Sequence, residues 1–494
     1  MLKKKKARGA GQVSSEGPNG AKATPKYKQI IAYIKSKISS GEWPIGSKIP
    51  SQRVLAATFG VNRSTVITAL EELVADGLIE GRLGMGTVVV NNTWTLLATT
   101  PPPDWDQYVK AGLHKPSQTA VHQINEDEFN SELIQLSKGE LSPEIFPLEG
   151  MKQVMERVTQ RLSRFGYEEP RGYLPLREAV SEYVKRLGIQ ASASSILIVS
   201  GALQALQLIS VGLLHRGSTV YLEQPSYLNS LHVFQSAGMK LSGLRMDQEG
   251  LVPDELAPGN KQGSGAILYT NPCFHNPTGI LMTERRRREL LRVCEQERLP
   301  VIEDDIYREL WTTEPPPPPL KARDRHGHVL YLGSLSKSLT PGLRIGWVVG
   351  PEPVIARLAD LKMQTDYGAS SLSQRVAAEW LASGMYEQQM NEVRWQLLMR
   401  QEAAVHALNM HMNGLASWEV PAGGFFIWLK INGKLSMTEL FTAAQRQGLL
   451  INPGYIYGET QGGYVRLSYA YASVAELHTG IERLGKIVAA LLQK

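Results

Sequence analysis

Apolar positions in the first hundred residues recur at helical spacing in short runs broken by glycine. Ile30, Ile31, Ile34 and Ile38 predict one face of a helix that stops at Gly41. After Gly46-Ser47-Lys48-Ile49-Pro50, Ser51 is placed to cap a second helix whose Val54, Leu55 and Ala56 run into the tight turn Phe59-Gly60-Val61. A third helix is predicted from about Asn62, burying Val66, Ala69, Leu70 and Leu73 while its first turn stays polar. Leu78 to Val90 then reads as two short strands around a Gly-rich tip.

Further along, the pattern changes to apolar strand runs that end in polar turns. Leu299-Pro300-Val301-Ile302 leads into Glu303-Asp304-Asp305, as a buried parallel strand ending in acids would. Ile196 to Val199 is followed by the small-residue turn Ser200-Gly201-Ala202 and an apolar helix, so backbone N–H groups and the helix dipole would face an anion. Tyr269-Thr270 precedes the rigid turn Asn271 to Gly279. Between residues 91 and 127 the chain is polar and interrupted by Pro101-Pro102-Pro103, which predicts a linker, extended where the prolines lie.

Charge sharpens this division. Residues 1–100 carry fourteen Lys/Arg against six Asp/Glu, whereas the remainder carries 39 against 41. The excess positive charge therefore lies in the first fifth, which points to a polyanion partner there. Residues 1–24 read as a basic disordered tail, with no apolar core of a leader after Lys3-Lys4-Lys5-Lys6, and no stretch is apolar enough to span a bilayer. Two cysteines, Cys273 and Cys294, make neither a disulfide framework nor a metal site and suit a reducing cytoplasm. The ten histidines show no zinc-ligand spacing, so no metal is expected.

The chemistry concentrates in Ser334-Leu335-Ser336-Lys337, with Arg344 seven residues after the lysine. Lys337 can form a Schiff base with an aldehyde, while Ser334, Ser336 and Arg344 can supply donors and positive charge to its phosphate. Asp304 is the carboxylate suited to keep a pyridine nitrogen protonated, the electron sink of pyridoxal phosphate chemistry. Tyr307 and Asn276 can both serve the phenolic oxygen of such a ring. In the N-terminal region, Arg63, Ser64 and Thr65 open the third helix as a recognition helix would present polar side chains to a major groove.

Residues from about 130 onward resemble a fold-type I pyridoxal-phosphate aminotransferase on these motifs. The resemblance implies that Tyr227 stacks on the cofactor ring, that Tyr167 reaches the phosphate site of a neighbouring subunit, and that Arg466 grips a substrate or effector carboxylate. Residues 25–90 resemble the winged helix of GntR-type regulators, including Ile49 to Arg53 and Asp76 to Ile79. By that resemblance Arg53, Arg63, Ser64 and Thr65 contact DNA, and Gly86 lets the wing approach the backbone. Together the two parts are similar to the MocR subfamily. The implied architecture is α/β: a winged helix-turn-helix, a linker over 91–127, and an aminotransferase-like domain over 128–494 with a mixed, mostly parallel sheet flanked by helices and a smaller α+β part. The implied activity is a homodimeric, cytoplasmic regulator that binds double-stranded DNA and senses an amino compound or pyridoxal 5'-phosphate itself. An active aminotransferase carrying a DNA-binding head stays open, because the residue set for turnover is present.

Overall fold

The computed structural model describes residues 25–82, 86–92, 105–112, 117–256, 265–458 and 463–493, and the expected basic tail lies outside them. Two compact units divide the chain, Met1–Gly112 and Leu113–Lys494.

In the smaller unit the expected helices form over Lys26–Ser39, Gln52–Phe59 and Arg63–Ala75. Ser51 caps the second by accepting the Val54 N–H at 3.4 Å, and Gly60 ends it in the left-handed conformation, φ 60°. Ile30, Ile34, Val66 and Leu73 are fully enclosed in one core. Burying each such side chain contributes about 1.5–3 kcal/mol. Strands Ile79–Arg82 and Gly86–Val89 pair antiparallel, Ile79 opposite Val89 and Arg82 opposite Gly86. The tip between them, residues 83–85, lies outside the described residues. Gly86 has φ 87°, and a Cβ there would sit 2.9 Å from the Lys48 side chain. Backbone geometry at the wing thus already requires glycine.

The linker expectation needs correction at its end. Residues Thr119–Asp127 form a helix that buries Val121 and Ile124 in the core of the larger unit. Their spacing of three makes an apolar stripe, and burying that stripe outweighs the polar composition of the segment. Another helix, Trp105–Ala111, also falls within the range read as linker.

The larger unit is built on an eight-stranded sheet. Five neighbouring strands run parallel: Val329–Ser334, Val301–Asp304, Ala266–Thr270, Thr219–Gln224 and Lys240–Asp247. Gly346–Val349 lies antiparallel between Val329–Ser334 and Ile196–Val199, which makes the sheet mixed, as expected. The strands Val301–Asp304, Val329–Ser334 and Gly346–Val349 are buried at every residue, which explains their continuous apolar runs. A second, antiparallel sheet of four strands packs Phe426–Ile431 against Gly463–Ser468, with Trp428 opposite Arg466. Parallel pairing puts Ser334, Asp304, Thr270 and Gln224 at the same end of the large sheet, and that end carries the polar side chains.

Candidate functional site

A cavity of about 430 Å³ opens at these strand ends, and Lys337, Asp304, Tyr307, Asn276, Tyr227, Gly201, Ala202, Ser334, Ser336, Arg344 and Arg466 all line it. The motifs they come from stretch from Gly201 to Arg466, so only the fold brings them together.

Lys337 follows the strand Val329–Ser334, and its Nζ donates to the Gly139 carbonyl at 2.5 Å. Burial pushes its ammonium down to about 8, and the positive charge of Arg466 acts in the same direction. A neutral amine, the nucleophilic form, is therefore within reach at ordinary pH. The loop around it is braced by Ser334, whose Oγ donates to the Ile345 carbonyl at 3.0 Å and accepts the Ser336 N–H at 3.1 Å. With no ligand bound that hydroxyl proton is used within the loop, and Ser334 still lines the cavity beside Ser336. The Ser336 Oγ, in contrast, is buried and without a partner among the described residues.

Beside it, Gly201 and Arg344 both take positive φ, 94° and 53°. The Arg344 Nη2 donates to the Ser200 carbonyl at 2.8 Å, and a Cβ on Gly201 would lie 2.8 Å from that nitrogen. Glycine is required for this approach. Ala202 begins the helix Ala202–Gly212, whose free N–H groups face the same corner. Helix terminus, guanidinium and unpartnered serine together form an anion cradle.

Across the cavity, Asp304 accepts the Tyr269 hydroxyl at 2.7 Å through Oδ2, while its Oδ1 is buried and has no hydrogen-bond partner among the described residues. Burial raises the carboxyl to about 6, and the Tyr269 hydrogen bond resists that rise. An orphaned carboxylate oxygen of this kind costs free energy until a cation or donor meets it. Asn271 Nδ2 donates to the Asp304 carbonyl at 2.6 Å, and its Oδ1 accepts the Asn276 N–H at 2.9 Å, which ties the rigid turn to the acid. Asn276 in turn donates to the Tyr307 hydroxyl at 3.3 Å and accepts from Arg466 Nη1 at 2.9 Å. Arg466 also donates to the Ser137 carbonyl at 2.6 Å, and its guanidinium lies 3.9 Å from the centre of the Phe426 ring. Its Nε is buried without a partner among the described residues.

A phosphorylated pyridine aldehyde fits this set, and two of the atoms it would meet, Asp304 Oδ1 and Ser336 Oγ, have no other partner among the described residues. Lys337 offers an amine to its aldehyde, Asp304 Oδ1 an acceptor to its ring N–H, and Ser336 with Arg344 donors to its phosphate.

Two groups of expected residues lie elsewhere. Tyr167 is 80% exposed and packs on Tyr367 with ring centres 5.0 Å apart, away from the cavity of its own chain. Arg53, Arg63 and Ser64 are exposed and Thr65 half-buried in the smaller unit, with Arg63 to Thr65 forming the first turn of their helix. Cys273 is buried, its thiol pushed up to about 12 by loss of solvent, which makes it an inert turn residue. Sequence reasoning missed Tyr269, whose position one residue before the strand end was the only signal. It also missed Asn125 and Glu128, which line the cavity from the helix Thr119–Asp127 and the residue after it. Among the described residues, His411, His478 and Glu482 approach one another closely, a grouping across two helices that no linear spacing would reveal.

Among the described residues, no helix is long and apolar enough to cross a membrane. Residues 131–484 match the family of aminotransferase class I and II, and residues 26–89 match bacterial regulatory proteins of the gntR family. The chain is 64% identical over 473 residues to the uncharacterized HTH-type transcriptional regulator YdfD of Bacillus subtilis (strain 168), covering 96% of this chain and 98% of that one. It is 34% identical over 429 residues to the HTH-type transcriptional regulator NorG of Staphylococcus aureus (strain USA300), covering 86% and 96%. Among solved structures, a kynurenine aminotransferase of Pyrococcus horikoshii in complex with PMP superposes with a TM-score of 0.74 at 30% identity, over 79% of this chain and 99% of that one.

Proposed function

Because the chain belongs to the aminotransferase class I and II family and carries a gntR-family regulatory domain, we propose that it is a pyridoxal-phosphate-binding bacterial transcription regulator of the MocR type. The observation that carries this reading is the coexistence, in one chain, of an intact cofactor-type cavity and a complete helix-turn-helix with a polar first turn on its third helix. Relatives that extend over nearly the whole length, head included, bear regulator names. A dedicated DNA-binding head has no use in a metabolic enzyme.

In this reading Lys337 holds the cofactor covalently, Asp304 pairs with its ring nitrogen, and Tyr307 and Asn276 meet its phenolic oxygen. Tyr227 covers the ring face, and its backbone N–H, donating to the Asn276 carbonyl at 3.1 Å, fixes it beside that turn. Ser334, Ser336, Arg344 and the N–H groups at Gly201 and Ala202 hold the phosphate, with Tyr167 reaching the site of a second subunit in a homodimer. The bound group supplies an aldehyde that an amine can engage. Arg466 selects amines that carry a carboxylate, since its planar fork matches that group and its hydrogen bonds to Asn276 and Ser137 go to neutral oxygens. Binding of such a compound shifts an equilibrium between domain arrangements by no more than its differential affinity for them. Arg53, Arg63, Ser64 and Thr65 contact an operator in the cytoplasm, with Gly86 shaping the wing.

Two measurements on the full chain test this. DNA affinity is measured with and without pyridoxal phosphate and amino acids, and release of ketoacid is followed in parallel. A ligand-dependent change in operator affinity, with turnover far below about 1 per second, supports the regulator. Turnover in the ordinary enzyme range with no effect on DNA would instead establish the aminotransferase.

A further inference from the structure

The charges lining the cavity leave one group over. Lys138 pairs with Glu140 at 3.1 Å and lies 4.3 Å from the Tyr471 ring centre, so both charges are engaged. With the cofactor seated, Lys337, Asp304 and Arg344 are used, and Arg466 receives the carboxylate of the effector. Glu128 is different. It follows the helix Thr119–Asp127, lines the same cavity, and forms no side-chain hydrogen bond or ion pair among the described residues.

We propose that the effector is an amino acid with a second cationic group at the end of an aliphatic side chain, and that Glu128 receives that group. The proposal rests on the cofactor and carboxylate assignments made above and adds the chemical class of the compound. Val121 and Ile124 line the cavity on the same helix, two turns and one turn before Glu128, and offer an apolar wall to the methylene groups between the two ends. A neutral apolar side chain would leave Glu128 half-buried and unpaired, and an acidic one would set two like charges together. Burial raises the Glu128 carboxyl above its ordinary range, against the pull of Arg466 and Lys138, so a cation placed there recovers free energy that the ligand-free site lacks. Recognition by Glu128 also places the ligand at the end of the helix Thr119–Asp127.

The test uses the full-length, cofactor-loaded protein titrated with L-lysine, L-norleucine and L-glutamate, read by the cofactor absorbance and by calorimetry. Norleucine has the length of lysine without its ammonium. A charge-assisted hydrogen bond at Glu128 makes lysine bind about 10- to 100-fold more tightly than norleucine. Glu128→Gln should remove most of that difference by weakening lysine, with norleucine unchanged as the internal control for folding. Equal affinity for lysine and norleucine in the unaltered protein, preference for glutamate, or a Glu128→Gln variant that keeps the lysine preference or weakens both ligands alike overturns the proposal. Failure of every amino acid, norleucine included, to perturb the cofactor would bring down the underlying reading of the cavity, and this inference with it.

Discussion

Replacing Asp304 by asparagine should move stability and cofactor affinity in opposite directions. In the cofactor-free protein the buried carboxyl is raised from its ordinary 3.8 to about 6, chiefly by loss of solvent. At 1.36 kcal/mol per pKa unit, the ionised side chain destabilises the folded protein by at most about 3 kcal/mol. The sign follows from proton uptake. Between these two pKa values the folded state binds more protons than the unfolded one, so the penalty is absent well below pH 4, grows as pH rises, and is complete above about 6. The amide oxygen of the asparagine would still accept the Tyr269 hydroxyl, but the side chain carries no charge. Calorimetric unfolding of the cofactor-free proteins should therefore find Asp304→Asn more stable at pH 8 by up to about 3 kcal/mol, with the advantage about halved at pH 5. Cofactor binding, followed by fluorescence quenching, should weaken by about 2–5 kcal/mol, because the ring N–H loses a buried charged partner. A variant that is less stable at both pH values, or that binds the cofactor as tightly as the parent, would refute the assignment of Oδ1 as the atom that waits for the ring.

Lys337 should make cofactor capture pH-dependent in a recognisable way: with its amine near 8, the rate should rise about ten-fold from pH 7 to 9 and then level, whereas an unperturbed lysine would keep gaining beyond pH 10. Arg63→Ala, at an exposed first-turn position, should lower discrimination between operator and random DNA by about 1–3 kcal/mol if it makes a bidentate base contact, while cofactor absorbance is unchanged. Competition binding against unrelated DNA measures that loss, and an unchanged specificity ratio would remove Arg63 from the reading surface. Sedimentation of the cofactor-bound protein should find a dimer; a monomer with full cofactor occupancy at micromolar concentration would contradict the role given to Tyr167.

Much of the site was legible because its motifs sit at strand ends, where local sequence declares itself. The run into Glu303-Asp304 reads as a buried strand meeting polar residues, and Lys337 stands out among serines. The head was legible for a similar reason: Ile30, Ile34 and Ile38 repeat at helical spacing, and Gly60 marks the turn. What was not legible depends on long-range packing. Thr119–Asp127 is polar enough to read as linker, and only the core that takes up Val121 and Ile124 makes it a wall of the cavity. Ser334 is chemically indistinguishable from Ser336 in the sequence, yet the antiparallel neighbour strand sets the Ile345 carbonyl against one and leaves the other free. The positive φ of Gly86 and the approach of the Lys48 side chain to it were not legible either, since both exist only once the wing is folded.

The most direct test of the link between cavity and head follows operator affinity and cofactor absorbance in the same titration of the full-length protein with an amino-acid effector. Both should change together with one midpoint, and Lys337→Ala, which cannot hold the cofactor covalently, should lose both responses while retaining non-specific DNA binding. A cofactor signal that saturates while operator affinity stays constant, across effectors and in both proteins, would contradict the claim that the cavity controls the head.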